Sequence, residues 1–344
     1  MSTRILVTGG AGFIGSHYVR GLLGPGGPGD VSVVVLDRLT YAGNTANLAA
    51  VADDPRLAFV RGDVCDADLV DSLTRDVDQV VHLAAESHVD RSLADGGAFV
   101  RTNVLGTQTL LDAALRHGTG PFVYVSTDEV YGSVSAGSST EDSPLLPSSP
   151  YSASKAAGDL VALSYAASHG MDVRVTRCSN NYGPHQYPEK IVPLFVTNLL
   201  DGLRVPLYGD GTHVRDWLHV DDHTRGIELV RTRGVPGEVY NIGGGTELSN
   251  TDLTALLLDA CGAGPEMVER VADRPGHDRR YSVDWTKIRD TLGYRPRYGL
   301  AAGIAETVEW YRINRDWWEP LRAASGPVRA EDAAPSTQPL TATL

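Results

Sequence analysis

Cysteine is scarce, with three in 344 residues, at Cys65, Cys178 and Cys261, and neither a C-x-x-C pair nor a Cys/His ligand spacing is present. That excludes a disulfide framework and the usual zinc sites, and no metal is expected. It leaves small core residues in a reducing compartment. Long apolar runs are missing too. No stretch of roughly 18 apolar residues occurs, so no membrane-spanning helix is expected. The chain passes from Met1-Ser2-Thr3 into the strand-like Arg4-Ile5-Leu6-Val7-Thr8 without a charged-then-apolar leader, which points to a cytoplasmic location. Positive charge is in deficit, 30 Lys and Arg against 43 Asp and Glu for a net −13, which disfavours nonspecific binding to nucleic acid or a membrane surface. Any anionic ligand must be held by locally clustered cations.

What is present is ordinary globular material, 42% hydrophobic and 21% charged. Ile5-Leu6-Val7, Val31 to Leu36, Val80 to Leu83 and Phe122 to Val125 are continuous apolar runs separated by helix-like stretches. They predict a doubly wound α/β fold, a parallel Rossmann sheet covered on both faces. Phe99, Val100, Asn103, Val104, Thr107, Leu110, Leu111 and Ala114 recur at helical spacing. So do Ala156, Ala157, Leu160, Val161, Ser164 and Tyr165, and both sets read as amphipathic packing helices. Beyond Cys178 the texture turns to loops rich in Pro, Gly and Asn, and Glu238 to Ile242 reads as a late strand of the same sheet. The expected organisation is a Rossmann domain over 1–179 with 214–245 returning to it. A smaller interleaved lobe takes 180–213 and 246–322, and a biased, aperiodic tail takes 323–344.

Directly after the first strand comes Gly9-Gly10-Ala11-Gly12-Phe13-Ile14-Gly15, a G-x-x-G-x-x-G loop opening a helix. Glycines there permit a tight turn and close backbone approach to a pyrophosphate at a helix N-terminus. The second strand ends at Asp37, about 20 residues on, where a carboxylate can accept both adenosine ribose hydroxyls and repel a 2′-phosphate. NAD is therefore the expected cofactor, with Arg38 the one neighbour that would suit NADP. Thr40 follows in the same turn, and Asp63-Val64, after the third strand, is placed to meet adenine or to cap a helix.

Tyr151-Ser152-Ala153-Ser154-Lys155 puts a tyrosine and a lysine four apart on one helix face. A tyrosine of pKa about 10 needs a nearby cation to serve as a general base, and an ammonium beside the positive nicotinamide ring favours phenolate. With the glycine loop and Ser126-Thr127 ahead of it, this pattern resembles the extended short-chain dehydrogenase/reductase family over residues 3 to 320. Within that family, Ser126-Thr127-Asp128-Glu129-Val130-Tyr131-Gly132 is similar to the segment of enzymes that dehydrate a dTDP-linked glucose across C5 and C6. Two adjacent carboxylates ending a core strand are costly to bury without purpose. The resemblance implies Tyr151 as base for C4 oxidation, Glu129 as base at C5, Asp128 as acid toward the C6 hydroxyl and Thr127 as a hydrogen-bond partner of the C4 oxygen.

The same resemblance implies Leu83-Ala84-Ala85 and Thr102 along the cofactor, Ser87 toward both ligands and Asn181 near the nicotinamide. Around the sugar nucleotide it places Asn180, Lys190, Ile191, Pro206, Tyr208, Arg215, Asn250, Arg274 and His277. Arg215 and Arg274 can clamp diphosphate oxygens bidentately and Lys190 adds a point charge, which supplies the local cations demanded above. Asn250 reads equally as a helix cap. A homodimer through the two helices is also implied. Two other readings stay open: an epimerase or decarboxylase sharing the Tyr151–Lys155 oxidation, and a silent NAD-sensing protein on the same fold.

Overall fold

The computed structural model describes residues 2–273 and 276–325. Its strands, in chain order, are β1 (Thr3–Thr8), β2 (Val31–Asp37), β3 (Leu57–Arg61), β4 (Gln79–His82), β5 (Phe122–Thr127), β6 (Val173–Cys178), β7 (Asn180–Tyr182), β8 (Val205–Tyr208), β9 (Val214–His219), β10 (Val239–Ile242), β11 (Glu247–Ser249) and β12 (Val268–Val271). Its helices are α1 (Phe13–Leu23), α2 (Ala67–Arg75), α3 (Val89–Ala94), α4 (Gly96–Val100), α5 (Gly106–His117), α6 (Pro150–His169), α7 (Ile191–Leu200), α8 (Val220–Arg233), α9 (Asn250–Cys261), α10 (Thr286–Leu292), α11 (Leu300–Ile313) and α12 (Arg315–Ser325). Among the described residues no helix is long and apolar enough to cross a membrane.

Seven strands pair in parallel in the order β10-β6-β5-β4-β1-β2-β3. Alternation along each strand feeds two cores. Ile5, Val7, Val33 and Val35 pack with Tyr18 and Val19 of α1 and Ile227 of α8 on one face. Leu6, Val34 and Leu36 pack with Leu110 and Leu111 of α5 and Ala162 of α6 on the other. This is the doubly wound α/β fold, and the strand order reverses between β1 and β4. Ligands of such sheets bind beyond the carboxyl ends of the strands at that point.

The lobe adds a three-stranded sheet, β11-β9-β7, and a two-stranded one, β12-β8. Phe195, Trp217, Leu253, Leu257, Ile304 and Trp318 form its core. The apolar run ending at Ile242 does join the large sheet, as β10 beside β6. The two parts interleave more finely than the sequence suggested. β9 opens the 214–245 segment yet pairs with the lobe strands β7 and β11. Ile288, Leu292 and Tyr294, within 246–322, pack in the first core, because the edge strand β10 needs a cover that α10 supplies. α12 extends to Ser325, past the Ala323 where the tail was placed; the rest of that stretch lies outside the described residues.

The two helices differ from their sequence pattern. α4 and α5 are joined by a π-helical turn over Arg101–Leu105, and Val100, read as a packing residue, is 55% exposed. Leu160 of α6 is 60% exposed. The buried face of α6 instead carries small and polar residues, Tyr151, Ser154, Lys155, Gly158, Asp159 and Ala162. Close approach is the reason: a Cβ on Gly158 would sit 2.2 Å from the Tyr124 hydroxyl.

Candidate active site

A cavity of ≈ 970 Å³ opens at the carboxyl ends of β1, β2, β4 and β5 and runs into the lobe. Among the described residues, every position singled out for cofactor, catalysis or substrate lines it. Arg274 lies outside the described residues.

One end is made of backbone. Gly9 has φ +69°, and a Cβ there would lie 2.7 Å from the Ala84 nitrogen. A Cβ on Gly15 would lie 2.1 Å from the Gly9 carbonyl oxygen. Side chains are therefore excluded where a dinucleotide has to approach, and Gly12, Phe13 and Ile14 continue the same wall at the start of α1. Asp37 accepts from the Ala11 amide at 2.9 Å and the Leu39 amide at 2.8 Å. Burial raises its carboxyl and these two N–H donors oppose the rise. Thr40, Val64, Leu83, Ala84, Ala85 and Thr102 complete this end. Arg38 turns to Asp63 at 3.2 Å, 59% exposed, so its guanidinium is engaged with a carboxylate beside Asp37. Asp63 also accepts from the Cys65 amide at 3.0 Å, and the cap of α2 is Asp66. The carboxylate, the glycine loop and the paired arginine fit NAD.

At the centre, β5 ends in Thr127, whose hydroxyl accepts from the Glu129 amide at 3.3 Å and donates to Asp128 Oδ1 at 3.2 Å. Asp128 is fully enclosed and its Oδ2 has no hydrogen-bond partner. Burial raises its carboxyl well above the usual range, Glu129 and Asp216 add to the rise, and Arg215 and Thr127 oppose it. A carboxyl so placed favours its protonated form. Tyr151 and Lys155 face the same space from α6. Lys155 Nζ, however, donates to the Val125 carbonyl at 2.8 Å and stands 4.2 Å over the Tyr124 ring. Burial lowers Lys155 to about 8, with Asp159 opposing. Burial and then Glu129 raise the Tyr151 phenol. The i, i+4 spacing thus brings the pair into one cavity without a hydrogen bond between them.

The other end is made of side chains from separate segments. Arg215, buried, donates to the Val214 and Asp278 carbonyls at 2.7 and 2.8 Å and lies 4.3 Å over the Tyr281 ring. Lys190 donates to the Ser87 carbonyl at 2.7 Å. Asn180 Oδ1 is buried without a hydrogen-bond partner, an acceptor suited to a ligand hydroxyl. Asn250 is the first residue of α9 and lines the cavity, and the capping oxygen is that of Ser249. Ile191, Pro206 and Tyr208 supply apolar surface. His277 stacks on His213 at 3.7 Å, and its Nδ1 pairs with Asp273 at 2.7 Å. The ligating atoms of these three lie within 4.8 Å of one another, but the carboxylate is already engaged by the rings as a hydrogen-bond acceptor.

Sequence reasoning passed over the residues that hold these groups in place. Asn103, in the π-helical turn, bonds both the amide and the carbonyl of Glu86, at 2.9 and 3.0 Å, and the Ser154 hydroxyl at 2.9 Å. His223 holds Asn181 through its Oδ1 at 2.9 Å. Glu189 ties the turn after β2 to the lobe by accepting from the Tyr41 hydroxyl at 2.9 Å, and Arg91 covers the Tyr41 ring at 3.7 Å. Helical spacing placed Asn103 on the packing face, where it is buried, but gave no sign of its hydrogen bonds, and no local pattern marks the other two.

The GDP-mannose 4,6 dehydratase family model matches residues 6–307. The chain is 68% identical over 321 residues to dTDP-glucose 4,6-dehydratase of Streptomyces antibioticus, covering 92% of this chain and 95% of that protein. The crystal structure of DesIV, the dTDP-glucose 4,6-dehydratase of Streptomyces venezuelae with NAD and TYD bound, is similar with a TM-score of 0.91 and 62% identity over 93% of this chain and 100% of that one. The UDP-glucose 4-epimerase of Thermus thermophilus in complex with NAD is also similar, with a TM-score of 0.83 and 34% identity over 91% of this chain and 100% of that one.

Proposed function

This chain belongs to the GDP-mannose 4,6 dehydratase family within the extended short-chain dehydrogenase/reductases, and from that premise we propose that it converts dTDP-glucose to dTDP-4-keto-6-deoxyglucose and water. Bound NAD supplies the acceptor and then the donor of one hydride, together with a positive ring that favours phenolate at Tyr151. Tyr151 takes the O4 proton as the C4 hydride departs, with the Lys155 ammonium supporting the phenolate. The new ketone acidifies C5, and Glu129 removes that proton. Asp128 gives its proton to the departing C6 hydroxyl, so the C6–O bond breaks and water leaves. The hydride returns to C6 and a proton to C5, and the cofactor ends as it began. Thr127 holds the C4 oxygen in place throughout.

The observation that carries this reading is the buried Asp128 beside Glu129, with one carboxyl oxygen unpartnered in the cavity that Tyr151 lines. An epimerase needs neither acid, because it returns the hydride to C4 and keeps O6. Purified protein incubated with dTDP-glucose should yield a sugar nucleotide lighter by one water in mass spectrometry. A product of unchanged mass and altered C4 configuration would assign it to the epimerases instead.

The diphosphate is held by Arg215, Lys190 and Arg274, with the base against Pro206 and Tyr208 and the sugar near Ser87, Asn180, Asn250 and His277. Glycines 9, 12 and 15, Asp37, Asp63 and Asn181 hold the dinucleotide. A homodimer forms through the helical stretch α4–α5 and through α6, a reading supported by the exposed Val100, Leu105 and Leu160. Leu160→Glu should yield monomers by light scattering. The three free cysteines support a cytoplasmic setting.

A further inference from the structure

Behind the catalytic residues runs a buried chain of polar groups that the reaction as written leaves unused. Asp159 follows Lys155 by one turn of α6, and both are enclosed. Its Oδ2 accepts from Arg177 Nε at 2.7 Å, in a pair whose side chains are 0% and 3% exposed. Arg177 Nη1 donates to the Tyr131 hydroxyl at 2.8 Å, with the guanidinium 4.8 Å over that ring. The Tyr131 hydroxyl donates onward to Asn241 Oδ1 at 2.8 Å, and Asn241 Nδ2 is fixed by the Ser139 and Asp284 carbonyls, each at 3.0 Å. Tyr131 closes the short turn Asp128–Tyr131 that presents both catalytic carboxyls. One network therefore starts beside the lysine and ends in the turn that carries the acid and the C5 base. A buried ion pair seldom adds stability over an apolar replacement, so its use is sought in the site it adjoins.

The Lys155 ammonium is faced by the Val125 carbonyl and Tyr124 ring from β5, by His82 from β4, by Cys178 from β6 and by Asp159 from its own helix. Burial lowers His82 to about 3 and pushes the Cys178 thiol up, so both are neutral at working pH. Burial raises the Asp159 carboxyl and Arg177 leads the groups that oppose the rise; the guanidinium 2.7 Å away makes Asp159 the anion among these groups.

We propose that Asp159 is a positioning residue for the reaction: fixed by Arg177, it keeps Lys155 an ammonium and, through Arg177 and Tyr131, ties the lysine's helix to the turn bearing Asp128 and Glu129. The inference rests on Tyr151 and Lys155 acting as described above. Burial alone lowers the lysine, and the neighbouring carboxylate opposes that fall. Without its charge the lysine loses its proton at lower pH, and a neutral amine does not support a phenolate.

The test is Asp159→Asn in NAD-loaded enzyme, with kcat and KM followed across alkaline pH. At neutral pH kcat should fall about 10- to 100-fold while NAD content holds and KM stays within about threefold. The alkaline limb of kcat should move down by about one pH unit or more, and Asp159→Glu should return it toward its original position. A folded Asp159→Asn with an unmoved alkaline limb overturns the proposal. If neither Asp159 variant folds, Tyr131→Phe decides: a kcat lowered about fivefold or more at unchanged KM supports the network, and an unchanged kcat refutes it. The unmodified enzyme run alongside separates the two readings, since its failure to release water from dTDP-glucose would remove the proposed function and not only this inference.

Discussion

The cofactor end and the centre of the cavity treat a buried carboxyl differently. Asp37, at the cofactor end, accepts two backbone N–H groups and belongs to a wall of glycines set by strand, turn and helix. Asp128, at the centre, receives a single threonine hydroxyl, keeps one oxygen unpartnered and stands beside a second acid. Burial raises both carboxyls, and in the first arrangement the two amide donors oppose that rise. The second favours the proton, because burial and the Glu129 charge act together. The cofactor end is thus built to bind and the centre to exchange protons, and substitutions at each should separate binding from turnover.

The largest effect is expected at the centre. Tyr151→Phe should lower kcat by about 10²- to 10⁴-fold with NAD content unchanged, measured by product formation and by cofactor released on denaturation. Close behind, Asp128→Asn should lower kcat by about 10²-fold or more and slow the loss of water. The pH dependence has a definite sign in the unmodified enzyme. The raised Asp128 carboxyl and Lys155, lowered to about 8, both act in their protonated forms, so kcat should fall on the alkaline side as pH rises through about 8. At the cofactor end, Gly15→Ala pushes a Cβ to 2.1 Å from the Gly9 carbonyl oxygen. Thermal unfolding should show a loss of about 2 kcal/mol or more, accompanied by loss of NAD. The smallest effect belongs to Arg38→Ala: its exposed pair with Asp63 should change NAD affinity by less than about threefold in titration calorimetry.

The contrast also explains what the sequence discloses. Gly9, Gly12, Gly15 and Asp37 are legible because the steric need for glycine and the strand-end carboxylate belong to one contiguous unit. Tyr151 and Lys155 are legible because four residues make one helical turn. The parallel sheet announced itself in unbroken Val, Ile and Leu runs, β10 included. What remained hidden depends on partners distant in sequence. Asn103 reaches Ser154 across 51 positions, Asn181 reaches His223 across 42 and Tyr41 reaches Glu189 across 148. The outward turn of Val100 and Leu160 was hidden for another reason: helical spacing identifies an apolar stripe without saying what covers it.

The assignment of the two acids is tested most directly by incubating dTDP-glucose in heavy water with the unmodified protein and with Glu129→Gln, both carrying bound NAD, and following the sugar nucleotide by mass spectrometry. The unmodified enzyme should lose one water and gain one deuterium at C5, and Glu129→Gln should retain NAD while incorporating none. Undiminished deuterium at C5 in Glu129→Gln would contradict the account and remove Glu129 as the C5 base.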